Sequence, residues 1–234
     1  MKNKVIAIVL AGGKGKRMGA SVSKQYLLIE DKPVLYYSLK AFENSNVDEI
    51  IIVAEKGTTN YCKANIVEKY NIGKVSSIIE GGAERYNSVH NGLKAIEAAG
   101  KDSYVLIHDG ARALISVDVI NNTIEEVKNK KAVIVGVPVK DTIKIVDVNG
   151  MVMDTPSRET LWQIQTPQAF VYEEILTAYN KVILENVPGI TDDSMVMEYS
   201  GIRKVEVIMG EYENIKITTP DDLVYARNII SKKM

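Results

Sequence analysis

The residues whose types and spacing are best suited to chemistry lie close together near the start of the chain, in the stretch VIAIVLAGGKGKRMGASVSKQ at positions 5–25. Glycines let a backbone turn tightly and bring its N–H groups against a bound anion. Cationic side chains interleaved with them make a local positive site in a chain whose formal net charge is only -1. The pattern predicts a strand followed by a loop that wraps a polyphosphate. The glycines are Gly12, Gly13, Gly15 and Gly19, and the cations are Lys14, Lys16, Arg17 and Lys24.

Two familiar phosphate-binding motifs do not fit this loop. A dinucleotide fingerprint, G-x-G-x-x-G, needs a third glycine where Met18 stands. A Walker loop ends in Gly-Lys-Ser or Gly-Lys-Thr, and neither sequence occurs. By itself the loop therefore predicts a binder of nucleotides or phosphate, with a purely structural glycine turn as the alternative.

The whole chain has the composition of an ordinary soluble globular protein. Its 234 residues, 46% hydrophobic and 25% charged, suffice for a buried core. A pI near 6.2 gives no sign of the basic surface that nucleic-acid binding requires. Cys62 is the single cysteine, which excludes a disulfide framework and a cysteine-based zinc site. We expect no membrane span and a cytoplasmic protein, because the first apolar run is short and leads directly into the glycine loop.

Strands and helices alternate along most of the chain, which predicts a mainly parallel, twisted α/β sheet with helices on both faces. No linker, repeat or low-complexity tract interrupts the pattern, so we expect one domain over residues 1–234. Predicted strands cover 5–10, 49–54, 75–79, 104–107, 131–139, 204–208 and 214–218. Predicted helices cover 61–70, 84–99 and 172–184, and a further one, capped by Thr191 or Asp192, extends to Tyr199. Further helices are expected to begin at Pro33, Ser116 and Thr219. The polar segment Trp162–Gln168 is interpreted as a loop.

A hairpin interrupts this alternation after Lys140. Residues 142–155 alternate between apolar and polar side chains around Asn149-Gly150, a strong hairpin-turn signal. The hairpin is either a plain surface excursion or, as we prefer, an arm over about residues 139–160 that packs on a second subunit, because its apolar side chains would otherwise be exposed together. These side chains are Ile143, Ile145, Met151 and Met153.

Chemistry in an open α/β sheet is expected at the carboxyl ends of the parallel strands. Three groups of residues fall there: the glycine loop, the turn from Gly81 to Ser88, and Asp109 with Arg112. Ser88 can hydrogen-bond a base or a phosphate, or can be merely exposed. Asp109 can bind Mg²⁺ or a ribose, or can instead cap its turn or pair with Arg112. For neither of the two histidines of the chain does the sequence reveal a catalytic serine-aspartate pair, which disfavours a histidine-centred mechanism.

Seven motifs, each weak alone, occur in one order across the chain. They are LAGGKGKRMG followed by Lys24-Gln25, EGGAERYNSV, HDGAR, VPVKDTIK, LWQIQTPQAF, ITDD and NIKITTPDDL. Together they resemble the 2-C-methyl-D-erythritol 4-phosphate cytidylyltransferase family of the non-mevalonate isoprenoid route, over about residues 5–223. The related ribitol-5-phosphate cytidylyltransferase shares LAGGKG, whereas VKDTIK, SRETLW and ITDDSMVMEYSG are more similar to the isoprenoid branch. A nucleotide-binding regulator without turnover is the alternative outside the enzyme class.

The resemblance implies a Rossmann-like nucleotidyltransferase fold and a homodimer joined through the arm. It also implies a reaction in which a phosphate oxygen of a sugar-alcohol phosphate attacks the α-phosphorus of CTP and pyrophosphate leaves. Such a transfer depends on positioning and charge stabilisation and needs no protein nucleophile. Mg²⁺ is the expected cofactor, held mostly by the CTP phosphates, with Asp109 as its candidate protein ligand.

The same resemblance implies roles for individual residues. Arg17 and Lys24 would stabilise the transition state, and Arg158 and Lys216 would position methylerythritol phosphate for attack. Because Arg158 ends the arm, each site would take arm residues from the partner subunit. The implied binding residues are Ala11, Gly12 and Gly13 as a cradle for CTP, Gly82 and Ser88 at its cytosine and ribose, Asp109 and Arg112 near the ribose, metal and incoming phosphate, and Thr142 and Thr166 at the sugar phosphate.

Overall fold

The computed structural model describes residues 3–12, 23–96, 100 and 102–233, and the elements below are those of the described residues. The strands in chain order are β1 (Val5–Ala11), β2 (Leu28–Ile29), β3 (Lys32–Pro33), β4 (Glu49–Ala54), β5 (Val75–Glu80), β6 (Tyr104–Asp109), β7 (Ala132–Pro138), β8 (Ile145–Val146), β9 (Val152–Asp154), β10 (Trp162–Val171) and β11 (Glu206–Met209). The helices are α1 (Val34–Glu43), α2 (Thr59–Cys62, continued as a π-helix over Lys63–Glu68), α3 (Arg85–Lys94), α4 (Val117–Lys130), α5 (Tyr172–Glu185), α6 (Asp193–Ser200) and α7 (Pro220–Lys233).

Seven of the described strands form one sheet in the order β11-β7-β10-β6-β1-β4-β5. Neighbouring strands are parallel except where β10 pairs with β6 and β7. Strand β1 is central, with Ile8 opposite Ile107 of β6 and Ile51 of β4. Helices cover both faces of the sheet, which is why β1 is an unbroken apolar run. The prediction of a mainly parallel α/β sheet covered on both faces is confirmed.

Two buried clusters lie on the two faces of the sheet, and alternate residues of β1 belong to different clusters. Ala7 belongs to the cluster that contains Leu39 of α1, whereas Ile8 belongs to the cluster that contains Leu93 of α3 and Tyr179 of α5. This is the period of two that a strand imposes on its side chains. The sheet is therefore held rigidly between two helical layers, and its carboxyl edge is a fixed platform.

The interpretation of Trp162–Gln168 as a loop is wrong. The segment belongs to β10, which lies antiparallel between β6 and β7 inside the sheet. Three of its polar side chains, those of Gln165, Thr166 and Gln168, are buried. Gln165 Nε2 donates to the Glu211 carbonyl at 2.8 Å, and Gln168 Nε2 donates to Asp192 Oδ2 at 2.9 Å. Buried polar groups in a strand erase the hydrophobic periodicity on which sequence interpretation depends.

Two further predictions differ from the structure. The strand expected over 214–218 is not formed; a single backbone hydrogen bond from Ile217 N to the Ala111 carbonyl, 2.9 Å long, ties this segment beside the end of β6. The helix expected over 84–99 ends at Lys94, and positions 97–99 lie outside the described residues. In both places the local apolar pattern covers residues that do not join a regular strand or helix.

The expected helix starts are confirmed at their caps. Ser116 Oγ accepts a hydrogen bond from Val119 N at 3.1 Å and begins α4. Asp192, rather than Thr191, caps α6 by accepting from Met195 N at 3.0 Å. Each cap satisfies a backbone donor that the first helical turn leaves free. Helices α1 and α7 likewise begin next to Pro33 and at Pro220, where a fixed φ suits the first turn.

The hairpin expected after Lys140 is present as β8 and β9. Asp147 Oδ1 closes its turn by accepting from Asn149 N and Met151 N, both at 2.9 Å. Its apolar side chains are exposed in this chain, and Val148 is as open as in an extended peptide, with 101% relative exposure. The exposed set is Ile143, Ile145, Val146, Val148, Met151, Val152 and Met153.

Among the described helices, none combines the length and the apolar character that a bilayer crossing needs.

Candidate active site

A cleft of about 390 Å³ opens where β6 ends, between the start of α3, the start of α6 and the segment that follows β11. Charged and polar side chains dominate its wall. The lining residues are Arg85, Asp109, Arg112, Ile164, Gln165, Thr166, Gln168, Thr191, Asp192, Ser194, Met195 and Lys216. Four residues that the sequence predicts as site residues, Asp109, Arg112, Thr166 and Lys216, are therefore brought together.

Asp109 is the carboxylate at the centre of this cleft. Lys216 Nζ lies 2.7 Å from its Oδ2, and Arg85 Nε lies 3.3 Å from its Oδ1. Burial alone would raise the pKa of Asp109, but the charges of Arg85 and then Lys216 outweigh it and hold the pKa well below its usual range. Asp109 is therefore ionised at physiological pH. Its ion pair is with Arg85 and Lys216, and the guanidinium of Arg112 bonds elsewhere.

Arg112 fastens the segment that carries Lys216. Its Nη1 donates to the Asn214 carbonyl at 2.7 Å, and its Nη2 donates to the Ile164 carbonyl at 3.4 Å. Burial lowers the pKa of Arg112, and Asp109 opposes that shift. The guanidinium thus links the segment after β11 to β10, and this link places Lys216 over the end of β6.

Thr166 holds the backbone beneath Asp109. Its Oγ1 accepts from Asp109 N at 3.0 Å and lies 3.0 Å from His108 Nδ1. Burial lowers the pKa of His108 to about 3, so the imidazole is neutral, and a hydrogen bond joins its Nδ1 to the Thr166 hydroxyl. The Thr166 hydroxyl is consequently engaged within the protein on both sides, and its position fixes where β6 ends.

We expect the buried neutral His108 to make folding sensitive to mild acid. A histidine whose folded pKa lies near 3, below its unfolded value of 6.5, leaves stability complete above about pH 6.5 and loses it as the pH falls. The slope is about 1.4 kcal/mol per pH unit between roughly pH 6 and 5, a window in which most carboxylates stay ionised. His108→Asn keeps a hydrogen-bonding group near the Nδ1 position and does not titrate. Urea unfolding at pH 7, 6 and 5 should give the wild type the steeper loss, and equal slopes would contradict this account.

The residues that follow the glycine loop contact the segment that carries Lys216. Lys24 Nζ donates to the Ile217 carbonyl at 3.2 Å, next to Lys216 in the chain. The buried amide of Gln25 donates to the carbonyl of Ala11, which closes the ends of the loop together. Gly12 is described at the end of β1, whereas the predicted site residues Gly13 and Arg17, together with the loop lysines at 14 and 16, lie outside the described residues.

The turn between β5 and α3 requires its glycines. A Cβ added to Gly82 would collide with Asn87 Cβ, and one added to Gly81 would lie 2.8 Å from Ser88 Oγ. Ser88 Oγ accepts from Gly82 N at 3.0 Å and donates to the Glu84 carbonyl at 3.1 Å. The Ser88 hydroxyl therefore shapes the turn and occupies the Gly82 N–H, so the carbonyl of the exposed Gly82 is the backbone group that this residue can offer to a ligand.

The two predicted arm residues do not line the cleft of their own chain. Thr142 and Arg158 are both exposed, and Arg158 Nη1 donates to the Lys140 carbonyl at 3.0 Å, at the base of the arm. The structure of one chain thus separates Arg158 from Asp109 and Lys216.

Two residues that the sequence did not single out are Arg85, which lines the cleft, and Asp193, which is fully buried. Arg85 begins α3, where a cation is unfavourable for the helix dipole, and such a placement signals a carboxylate partner. That partner is the buried Asp193, which Arg85 contacts with both terminal nitrogens at 2.9 and 2.8 Å. Both residues lie inside the motifs EGGAERYNSV and ITDD, but only the fold shows that they meet.

The donor set can be tested for Mg²⁺. Among the residues that the structure describes, no group of three or more histidine, cysteine, aspartate or glutamate side chains could hold a metal ion. Asp109 uses two of its roughly four lone-pair positions for Arg85 and Lys216, so it can still offer one oxygen. Mg²⁺ bound to a triphosphate typically takes one or two protein carboxylates and completes its shell with phosphate and water. The residues fit that mode and no closed metal site.

A mostly parallel sheet with a glycine-lysine loop after its first strand, and a cleft in which an aspartate lies between two cations, defines a nucleotidyltransferase. The family model of 2-C-methyl-D-erythritol 4-phosphate cytidylyltransferase matches residues 5–232. The chain belongs to this family.

Individual relatives agree with the family match. The chain is 53% identical over 228 residues to the 2-C-methyl-D-erythritol 4-phosphate cytidylyltransferase of Lachnoclostridium phytofermentans, with 97% of this chain and 96% of the other covered. It is 50% identical over 229 residues to the enzyme of that name from Clostridium botulinum, covering 97% and 100%. The crystal structure of 4-diphosphocytidyl-2C-methyl-D-erythritol synthase from Anaerococcus prevotii superposes with a TM-score of 0.85 at 36% identity, covering 98% and 96%.

Proposed function

We propose that this nucleotidyltransferase joins CTP and 2-C-methyl-D-erythritol 4-phosphate to give 4-diphosphocytidyl-2-C-methyl-D-erythritol and pyrophosphate, in non-mevalonate isoprenoid biosynthesis. This is the reaction for which its family and its relatives are named. The observation that carries the proposal is the ion pair of Lys216 with the Asp109 carboxylate, on a segment that Lys24 also contacts through the Ile217 carbonyl. Such a site suits two anionic substrates.

The reaction brings two anions together and builds negative charge on the α-phosphate of CTP. The acceptor phosphate oxygen forms a bond to the α-phosphorus, and the bond to the pyrophosphate oxygen breaks. Cations fixed before the reaction stabilise that charge without reorganisation. We assign this role to Arg17 and Lys24, and we assign Lys216 and Arg158 to the acceptor phosphate. The planar guanidinium of arginine suits a forked contact with phosphate oxygens, and lysine acts as a point charge.

For CTP, the proposed cradle is the backbone around the two glycine turns. Ala11, Gly12 and Gly13 follow β1 and would face the phosphates, and Gly82 would contact the cytosine with its backbone. Ser88 would act by shaping that turn, because its hydroxyl is engaged there. Arg112, Thr142 and Thr166 complete the proposed acceptor pocket, Arg112 and Thr166 by holding the cleft wall.

Mg²⁺ is the proposed cofactor. The chemistry that it supplies when bound is neutralisation of the triphosphate charge as pyrophosphate leaves. Asp109 is the residue that would hold it from the protein side. Lys216 already contacts this carboxylate, so the ion and the lysine would share it.

We further propose a cytoplasmic homodimer joined through the arm. The arm exposes seven apolar side chains in the single chain, which supports its burial against a second subunit. The position of Arg158 at the arm's base, outside its own cleft, supports a site completed by the partner subunit. The cytoplasm is where CTP is available.

Pyrophosphate release tests the proposal. With CTP and Mg²⁺ present, we expect release with 2-C-methyl-D-erythritol 4-phosphate and at least about tenfold slower release with ribitol 5-phosphate, because the acceptors differ in branching and phosphate position. A preference for ribitol 5-phosphate would assign the chain to the other cytidylyltransferase reaction. If neither acceptor gives pyrophosphate release and CTP binding is nevertheless measurable, the result would favour a nucleotide-binding regulator.

A further inference from the structure

Arg85 is held in one orientation by a buried anchor. Its Nη1 and Nη2 lie 2.9 and 2.8 Å from the two carboxylate oxygens of Asp193, which is fully buried. Tyr179, also fully buried, donates its hydroxyl to the same carboxylate. A two-point contact between a planar guanidinium and a carboxylate fixes the plane as well as the distance.

The anchor itself is tied to the sheet. Gln168 Oε1 accepts from Asp193 N at 2.9 Å and from Ser194 N at 3.0 Å, which locks the first turn of α6 onto β10. Gln168 pairs with Ile107 of β6, two positions before Asp109. The strand that holds Asp193 in place, β10, is therefore the neighbour of the strand that carries Asp109, β6, and the sheet sets the distance between the two carboxylates.

The third nitrogen of Arg85 then has its direction imposed by covalent geometry. With Nη1 and Nη2 fixed on Asp193, the Nε–H bond points to Asp109 Oδ1, 3.3 Å away. The other oxygen of Asp109 holds Lys216 at 2.7 Å. Since Asp193 takes the two-point pair with Arg85, this arginine adds little net charge to the cleft and instead orients a carboxylate.

We infer that Arg85, anchored by Asp193, is a positioning residue that fixes the Asp109 carboxylate and through it the place of the Lys216 ammonium group. The inference rests on the proposed function, because it assigns a part of the same site. Arg85 then acts through Asp109, and its loss misplaces a cation that meets the substrates.

A double-mutant cycle separates this role from a general structural one. Arg85→Lys keeps the charge but cannot make three directed contacts, and Asp109→Ala removes the group on which Arg85 is inferred to act. We expect Arg85→Lys to lower kcat about 10- to 100-fold in the wild-type background and less than about threefold in the Asp109→Ala background. The KM for CTP should change less than about threefold in either case.

Arg203 provides a matched control. It makes a similar two-nitrogen contact with Glu174, at 2.6 Å for both nitrogens, and neither residue lines the cleft. Arg203→Lys should leave kcat unchanged. Circular dichroism and thermal unfolding report whether each variant is folded. If Arg85→Lys does not fold, Tyr179→Phe replaces it, since it removes one hydrogen bond from Asp193 and should lower kcat about three- to tenfold with the same dependence on Asp109.

Two results would overturn the inference: equal losses of kcat with and without Asp109, which indicate a structural role, or a loss confined to the KM for CTP, which indicates direct substrate binding. Failure of the proposed function is distinguishable, because it appears as a wild-type protein that releases no pyrophosphate with either acceptor.

Discussion

Replacement of Lys216 by glutamine is expected to lower kcat/KM about 100- to 1000-fold, the usual cost of removing one preorganised charge donor from a transition state. Lys216 lines the cleft, and its Nζ lies 2.7 Å from Asp109 Oδ2. Without the ammonium group, the cleft loses a cation and keeps the negative charge of Asp109 facing two anionic substrates. Both changes raise the barrier, so the effect should be larger than that of an ordinary surface lysine.

Folding should hardly respond to the same substitution. The Lys216 side chain is 38% exposed, and ion pairs with that degree of solvent access contribute little to stability. Steady-state pyrophosphate release at varied acceptor concentration measures the effect, with thermal unfolding as the check on structure. Lys204→Gln is the matched control, because Lys204 is exposed and outside the cleft lining. A loss of less than about threefold for Lys216→Gln would remove Lys216 from the proposed machinery.

Strand β1 and the starts of two helices could be predicted from the sequence because their signals are local. The apolar run of β1 and the caps at Ser116 and Asp192 depend on neighbouring residues alone. The interior strand β10 could not be predicted, because Gln165 and Gln168 are buried through hydrogen bonds to partners 46 and 24 positions away. A polar residue that is satisfied at long range looks, in sequence, like a residue of a loop.

In the candidate site, too, the residues could be named from local motifs, whereas their contacts could not be predicted. Asp109 and Lys216 could be named from motifs, but nothing in the spacing of two residues so far apart gives a distance of 2.7 Å between their side chains. The role of Arg85 cannot be read from its own motif, because its partner Asp193 begins a helix more than a hundred positions later. Long-range ion pairs of this kind belong to the fold and are decided by which strands are neighbours.

The arm poses the remaining question, since Arg158 is exposed at its base and outside the cleft of its own chain. If the partner subunit supplies Arg158, each site combines Lys216 of one subunit with Arg158 of the other. Arg158→Ala and Lys216→Gln then affect residues that different subunits contribute to one site. Each homodimer should lose about 100-fold or more in kcat/KM, by the same charge argument. A heterodimer of the two variants should nevertheless keep one site in which both residues are intact.

Co-expression with two different affinity tags gives that heterodimer in pure form. We expect about half of the wild-type activity per dimer, because a two-fold assembly has two sites and one of them is complete. The reciprocal heterodimer, which pairs an unmodified subunit with one that carries both substitutions, should be almost inactive, since each of its sites lacks one of the two residues. If Arg158 instead served its own subunit, the two heterodimers would exchange behaviour: the first would be inactive and the second would keep half of the activity. The contrast does not depend on how strongly either substitution acts alone. It would decide whether the exposed arm of one chain completes the active site of another.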